Sequence, residues 1–134
     1  MHPNEFHNRI DQERLVAALA DFERHTRCKA FVYVSHRAVE EVMEAARKRF
    51  ARIHPDHHQP PAVLIYLVPR TQKFAILGDA RIHERCGDIL WERLAEALGR
   101  DLKAGDVTAA LLNAVSSLKV TLEEHFPARV QAGD

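Results

Sequence analysis

The sequence is short of everything that would assign it quickly. It has no excess charge, since 19 Lys and Arg face 19 Asp and Glu. A nucleic-acid binder or an anionic-membrane binder would show a basic surplus. Its longest apolar run, Ala62 to Val68, is far below the ~20 residues of a membrane helix. Met1 to Ile10 is polar and carries no apolar core of the signal-peptide kind. Two cysteines, Cys28 and Cys86, are too few for a disulfide framework. No P-loop, His-Glu-x-x-His, Gly-x-Ser-x-Gly or Cys-x-x-Cys motif occurs, so no familiar reaction can be named from a motif. Together these absences point to a cytoplasmic protein with no nucleic-acid or membrane partner.

What is present suits one domain. With 134 residues, 46% hydrophobic and 28% charged, the chain can bury a core of its own. We expect a single domain over 1–134, with its core at about 8–127 and a flexible tail at 128–134.

Helical spacing of Leu15, Leu19 and Phe22 predicts a first helix from a cap at Asn8 to about Glu23. Ala30 to Val34 reads as a strand buried on both faces. Val39, Val42, Met43, Ala46, Phe50 and Ile53 predict a second helix starting at Ser35 or His36 and ending before Pro55. Its charged side holds the favourable pair Glu44–Lys48. Val63 to Val68 and Phe74 to Leu77 read as a hairpin around the turn Pro69–Lys73. Asp79 is placed to cap the next helix, which Gly87 should break and Gly99 should end. Asp106 caps a last helix, Val107 to about His125, with Val107, Ala110, Leu111, Ala114, Leu118 and Leu122 on its buried face.

A whole helix separates strands one and two, which predicts a parallel pair with a right-handed crossover. Strand three returns antiparallel. The expected fold class is α/β, a three-layer α/β/α sandwich whose small mixed sheet of three to four strands is flanked by helices on both faces. One end of that sheet should gather Ser35, His36, Arg70, Thr71, Gln72 and Lys73. The other should gather Cys28, Lys29, the linker His54 to Pro61, Asp79 and His83.

The order of motifs along the chain resembles a known family. Ala62 to Asp79 is followed by Ile82-His83, Gly87-Asp88 and Trp91. Gly105-Asp106 then precedes Ala110-Leu111 and Leu118, and Leu122 to Pro127 closes the pattern. Over roughly Phe22 to Pro127 this resembles the TPM-domain family, in particular its short cytoplasmic bacterial form without signal peptide or membrane helix. The resemblance implies an α/β/α sandwich and phosphatase activity toward phosphomonoesters, by way of a thylakoid acid phosphatase in the family. It also implies calcium binding in some members. The sequence departs where relatives use an Asn-Gly type turn before the second strand, since Pro60-Pro61-Ala62 stands there.

Candidate site residues follow from both sources. Asp79 and Asp88 are the candidate bases or ligands, and His83, four residues after Asp79, the candidate general acid. His57, His58 and Asp56, with Asp79 and His83, are candidate metal ligands. Imidazoles favour zinc-type metals, whereas calcium takes six to eight oxygens, more than Asp56, Asp79 and Asp88 supply. A divalent metal is thus an expected cofactor of either kind. Cys28 is flanked by Arg27 and Lys29, cations that lower a thiol's pKa, while Cys86 falls on an apolar helix side. Arg70 and Lys73 form a basic turn. Two functions remain open: a metal-linked phosphatase acting on a phosphorylated substrate, and a non-catalytic module that binds a protein partner.

Overall fold

The computed structural model describes residues 10–56 and 58–128. In chain order the elements are α1 (Gln12–His25), β1 (Lys29–Val34), α2 (Val42–Ile53), β2 (Ala62–Val68), β3 (Lys73–Gly78), α3 (Ala80–Lys103) and α4 (Val107–His125). The sheet order is β1-β2-β3. β1 runs parallel to β2, with Lys29 opposite Ala62 and Val34 opposite Leu67. β3 runs antiparallel, with Val63 opposite Gly78 and Val68 opposite Lys73. Among the described residues no helix is long and apolar enough to cross a membrane.

β2 explains the layers. All seven of its residues are buried, as expected of a central strand covered on both faces. Side chains alternate along a strand. Val63, Ile65 and Leu67 therefore pack with Phe22 of α1, Ile82, Leu94 and Leu98 of α3, and Leu111, Leu118 and Leu122 of α4. Leu64, Tyr66 and Val68 pack on the opposite face with Val42 and Ala46 of α2. The expected α/β/α sandwich is the observed one, with three strands.

Several boundaries differ from expectation. Asn8 lies outside the described residues, and the cap of α1 is Asp11, whose carboxylate accepts the Arg14 N–H at 3.1 Å. The Asp11 N–H donates to Thr108 Oγ1 at 2.9 Å, tying the start of α1 to α4. β1 is an edge strand whose Val32 and Val34 pack on one core and Phe31 and Tyr33 on the other, so both faces are covered but only half-buried from Phe31 to Val34. α2 starts at Val42, not at Ser35 or His36. The Ser35 hydroxyl bonds both the N–H and the carbonyl of Arg37, and this local turn competes with helix. Val39 packs on the α2 core from the loop, which is why its spacing imitated a helical turn. Phe50 is half-buried and stacks on His54, ring centroids 5.3 Å apart. The Glu44–Lys48 pair forms at 3.5 Å.

Gly87, at φ 73°, does interrupt α3. Gly99 does not end it: the period Leu94, Leu98, Leu102 carries the helix to Lys103, and Gly105 takes the left-handed turn at φ 99°. Asp106 caps α4 by accepting the Ala109 N–H at 2.9 Å. The expected tail lies almost wholly outside the described residues. Before it, Thr26 and Pro127 form an antiparallel bridge, and Arg27 N–H donates to Phe126 O at 2.9 Å. The chain is thereby closed beside the start of β1.

Gly78 is required by close approach. A methyl group there would fall within the six-membered ring of Trp91. Gly78→Ala should therefore destabilise the fold by about 1–3 kcal/mol, the usual range for overpacking. Urea unfolding checks this, and most of the loss should vanish in a Trp91→Leu background. An equal loss in both backgrounds would contradict the contact.

Candidate active-site cleft at the Asp79 end of the sheet

The sheet register brings the expected groups to one end. Asp79 follows the last residue of β3, and its N–H donates to Ala62 O at 2.9 Å. Lys29 N–H, at the start of β1, donates to Pro61 O at 2.8 Å. The linker between α2 and β2 thus meets both the start of β1 and the end of β3.

Asp79 is 8% exposed and caps α3. Its Oδ1 accepts the Arg81 backbone N–H at 2.8 Å and Arg81 Nε–H at 2.9 Å. Its Oδ2 accepts from Arg81 Nη2 at 2.9 Å. Arg81 Nη2 also donates to Gln59 O at 2.7 Å. A two-pronged guanidinium–carboxylate fork of this kind is among the stronger charge-assisted contacts. His54 Nε2 lies 2.8 Å from Pro60 O and 3.5 Å from Asp79 Oδ2. A carbonyl only accepts, so Nε2 carries the proton. Burial pushes the Asp79 carboxyl up, but the Arg81 hydrogen bonds and charge, with His54, outweigh it. They hold the carboxyl below the usual range.

The other expected residues separate from Asp79. His83 Nδ1 accepts the Trp91 indole N–H at 3.0 Å, so its proton sits on Nε2, which faces Asp88 Oδ1 at 3.5 Å. His83 and Asp88 thus form their own exposed pair, and the expected catalytic trio is not assembled around Asp79. Asp56 and His58 are exposed, with the His58 backbone N–H donating to Asp56 Oδ1 at 2.9 Å. His57 lies outside the described residues. Among the described residues His54 is a linker histidine that reaches Asp79.

Arg81 opens onto a cleft of about 880 Å³. Its wall carries four arginines, Arg24, Arg27, Arg81 and Arg85, against two glutamates, Glu23 and Glu84. Glu23 is held by Lys29 at 3.0 Å, and Arg24 pairs with Asp21 at 3.2 Å. Arg27 and Arg85 are different. Both lie over the Phe126 ring, at 5.9 and 5.2 Å from its centroid. Arg85 also donates to His125 O at 3.0 Å. Among the described residues neither guanidinium has a carboxylate within ion-pair distance. Two cations therefore pack against one aromatic ring.

A family model of the TPM domain matches residues 6–121. The chain belongs to the TPM-domain family. The NMR structure of the BA42 protein from the psychrophilic bacterium Bizionia argentinensis superposes with a TM-score of 0.79 at 23% identity. It covers 87% of this chain and 81% of that one. At that identity the likeness is one of fold. No curated protein matches.

The calcium that TPM resemblance implies does not fit the groups around Asp79. Both carboxylate oxygens are taken by Arg81, and a guanidinium in that place repels a second cation. Among the described residues no three of His, Cys, Asp or Glu stand together as a ligand set. Cys28 departs from the lowered pKa expected from Arg27 and Lys29. Burial dominates, at 2% exposure, and pushes the thiol up to about 11. Burial also pushes the Cys86 thiol up.

Arg81, Arg85 and Phe126 were missed as site residues. The only available signal for Arg81 was its place two residues after a capping aspartate. Arg85 and Phe126 are forty-one residues apart and meet only through the fold.

Two results should follow. A carboxyl held low in the folded state stabilises above its unfolded pKa of ~3.9, and that stabilisation is lost as pH falls through the folded value. The urea midpoint of the natural protein should therefore drop more steeply below about pH 4 than that of Asp79→Asn. Parallel curves would contradict the ion pair. At neutral pH, Cys28 should resist a thiol reagent such as Ellman's reagent until urea unfolds the chain. Prompt labelling of Cys28 in the folded protein would show an accessible thiolate.

Proposed function

We propose that this TPM domain recognises a phosphate-bearing ligand in the arginine-lined cleft. The supporting observation is the convergence of Arg27 and Arg85 on Phe126 with no carboxylate partner among the described residues. An anion held between them gains two charge-assisted contacts, and guanidinium groups match the oxygens of a phosphomonoester two at a time. Phe126 keeps both cations in place and offers an apolar surface to the organic part of the ligand. The cytoplasmic setting belongs to the same proposal and is supported by two unpaired cysteines.

Hydrolysis of the bound phosphomonoester is the second reading, and one feature favours it. Arg81 both lines the cleft and holds the ionised carboxylate of Asp79. A ligand that draws Arg81 forward would free that carboxylate to take a proton from the attacking water as the ester P–O bond breaks. The carboxyl would then return the proton to the leaving alkoxide, giving the alcohol and inorganic phosphate. His54, whose Nε2–H is held by Pro60 O, lies 3.5 Å from Asp79 Oδ2 and would border the freed carboxylate. No thiol takes part, since both cysteines are held protonated. A domain that binds a protein partner through the same cleft is the non-catalytic alternative, and it too would use the arginines.

Calorimetric titration with phenyl phosphate tests recognition. Arg85→Gln and Arg27→Gln should each weaken binding about tenfold, the effect of losing one hydrogen bond to a charged group. Absence of binding, or binding unchanged in both variants, would overturn the proposal. Turnover of p-nitrophenyl phosphate that disappears in Asp79→Asn while phenyl phosphate still binds would establish the hydrolytic reading. Binding without turnover would leave a recognition domain.

A further inference from the structure

We infer that Arg81 fills a cation site of the protein's own making. Asp79 Oδ1, Asp79 Oδ2 and Gln59 O all accept from the Arg81 guanidinium, at 2.9, 2.9 and 2.7 Å. Pro60 O lies on the adjoining peptide and is engaged by His54. A carboxylate with a neighbouring backbone carbonyl offers three of the six to eight oxygens that a hard divalent ion such as calcium takes, water supplying the rest. Here a tethered guanidinium supplies the positive charge from inside the chain. Arg81 thus neutralises a carboxylate whose side chain is 9% exposed, and it fastens the 54–61 linker to the first turn of α3. A freely exchanging ion would do the first only when bound. The guanidinium does both at every calcium concentration.

The inference is independent of what the neighbouring cleft binds. It makes the natural protein indifferent to divalent ions at Asp79 and makes Arg81 the residue that excludes them. Removing Arg81 takes one positive charge away from the centre of the oxygen set. Calcium affinity at this place should then rise by at least about tenfold, since a unit charge at contact distance is worth well over 1.4 kcal/mol outside bulk water.

The test is calorimetric titration with calcium of the natural protein, Arg81→Ala and Arg81→Gln, with thermal unfolding in chelator and in calcium. Arg81→Gln keeps side-chain length and helix propensity, so it remains informative where Arg81→Ala fails to fold. The expected result has three parts. The melting temperature of the natural protein is the same in chelator and in calcium. The Arg81 variants bind calcium and melt higher in its presence. Adding Asp79→Asn to either variant removes the gained binding. Calcium binding by the natural protein that Asp79→Asn abolishes would overturn the inference. So would folded Arg81 variants with no gain in affinity.

Discussion

The pairing of β2 on both sides is the constraint from which the rest follows. Its seven residues are buried, so their backbone groups find partners in the sheet, and helices must cover both faces. The alternation of Val63, Ile65 and Leu67 with Leu64, Tyr66 and Val68 divides the helices between two cores. The same register puts Ala62 O under the Asp79 N–H and Pro61 O under the Lys29 N–H. A one-residue slip of β2 would turn its side chains to the wrong faces and would also dismantle this end of the sheet.

The site is thus a by-product of sheet closure that the charged residues have occupied. Asp79 performs a structural task as the cap of α3 and a local electrostatic task as the partner of Arg81. The cleft beside it owes its shape to the return of the chain after α4. That return sets Phe126 against Arg27 of the α1–β1 loop and Arg85 of α3. Three remote segments each contribute one group. Arg27 and Arg85 are exposed, where charged contacts add little to stability, and in the proposed reading they hold an anion.

Much of the fold was legible in the sequence because it rests on local periodicity. The β2 run, the hairpin, Asp79 and Asp106 as caps and Gly87 as a break all appear where spacing and turn chemistry place them. The start of α2 was not legible, because Val39 has the right spacing but is reached through the Ser35 turn. The sheet end that gathers Asp79 with the histidine linker was legible from topology alone. Which groups would touch was not. Sequence spacing suggested His83 beside Asp79, yet Trp91 draws that imidazole away, and His54 takes its place through a bond to Pro60 O. Nor does charge counting reveal a basic cleft in a chain with net charge zero, since the pairing of Glu23 with Lys29 and of Arg24 with Asp21 is tertiary detail.

The account turns on the claim that Arg27 and Arg85 are the chain's anion receptors. Nitrogen-15 NMR of the arginine Nε–H groups during a phenyl phosphate titration measures this directly. Saturable shifts of Arg27 and Arg85, with Arg70 at the opposite end of the sheet unmoved, are the result the account predicts. Shifts centred on Arg70, or no saturable shift at Arg27 and Arg85, would contradict it.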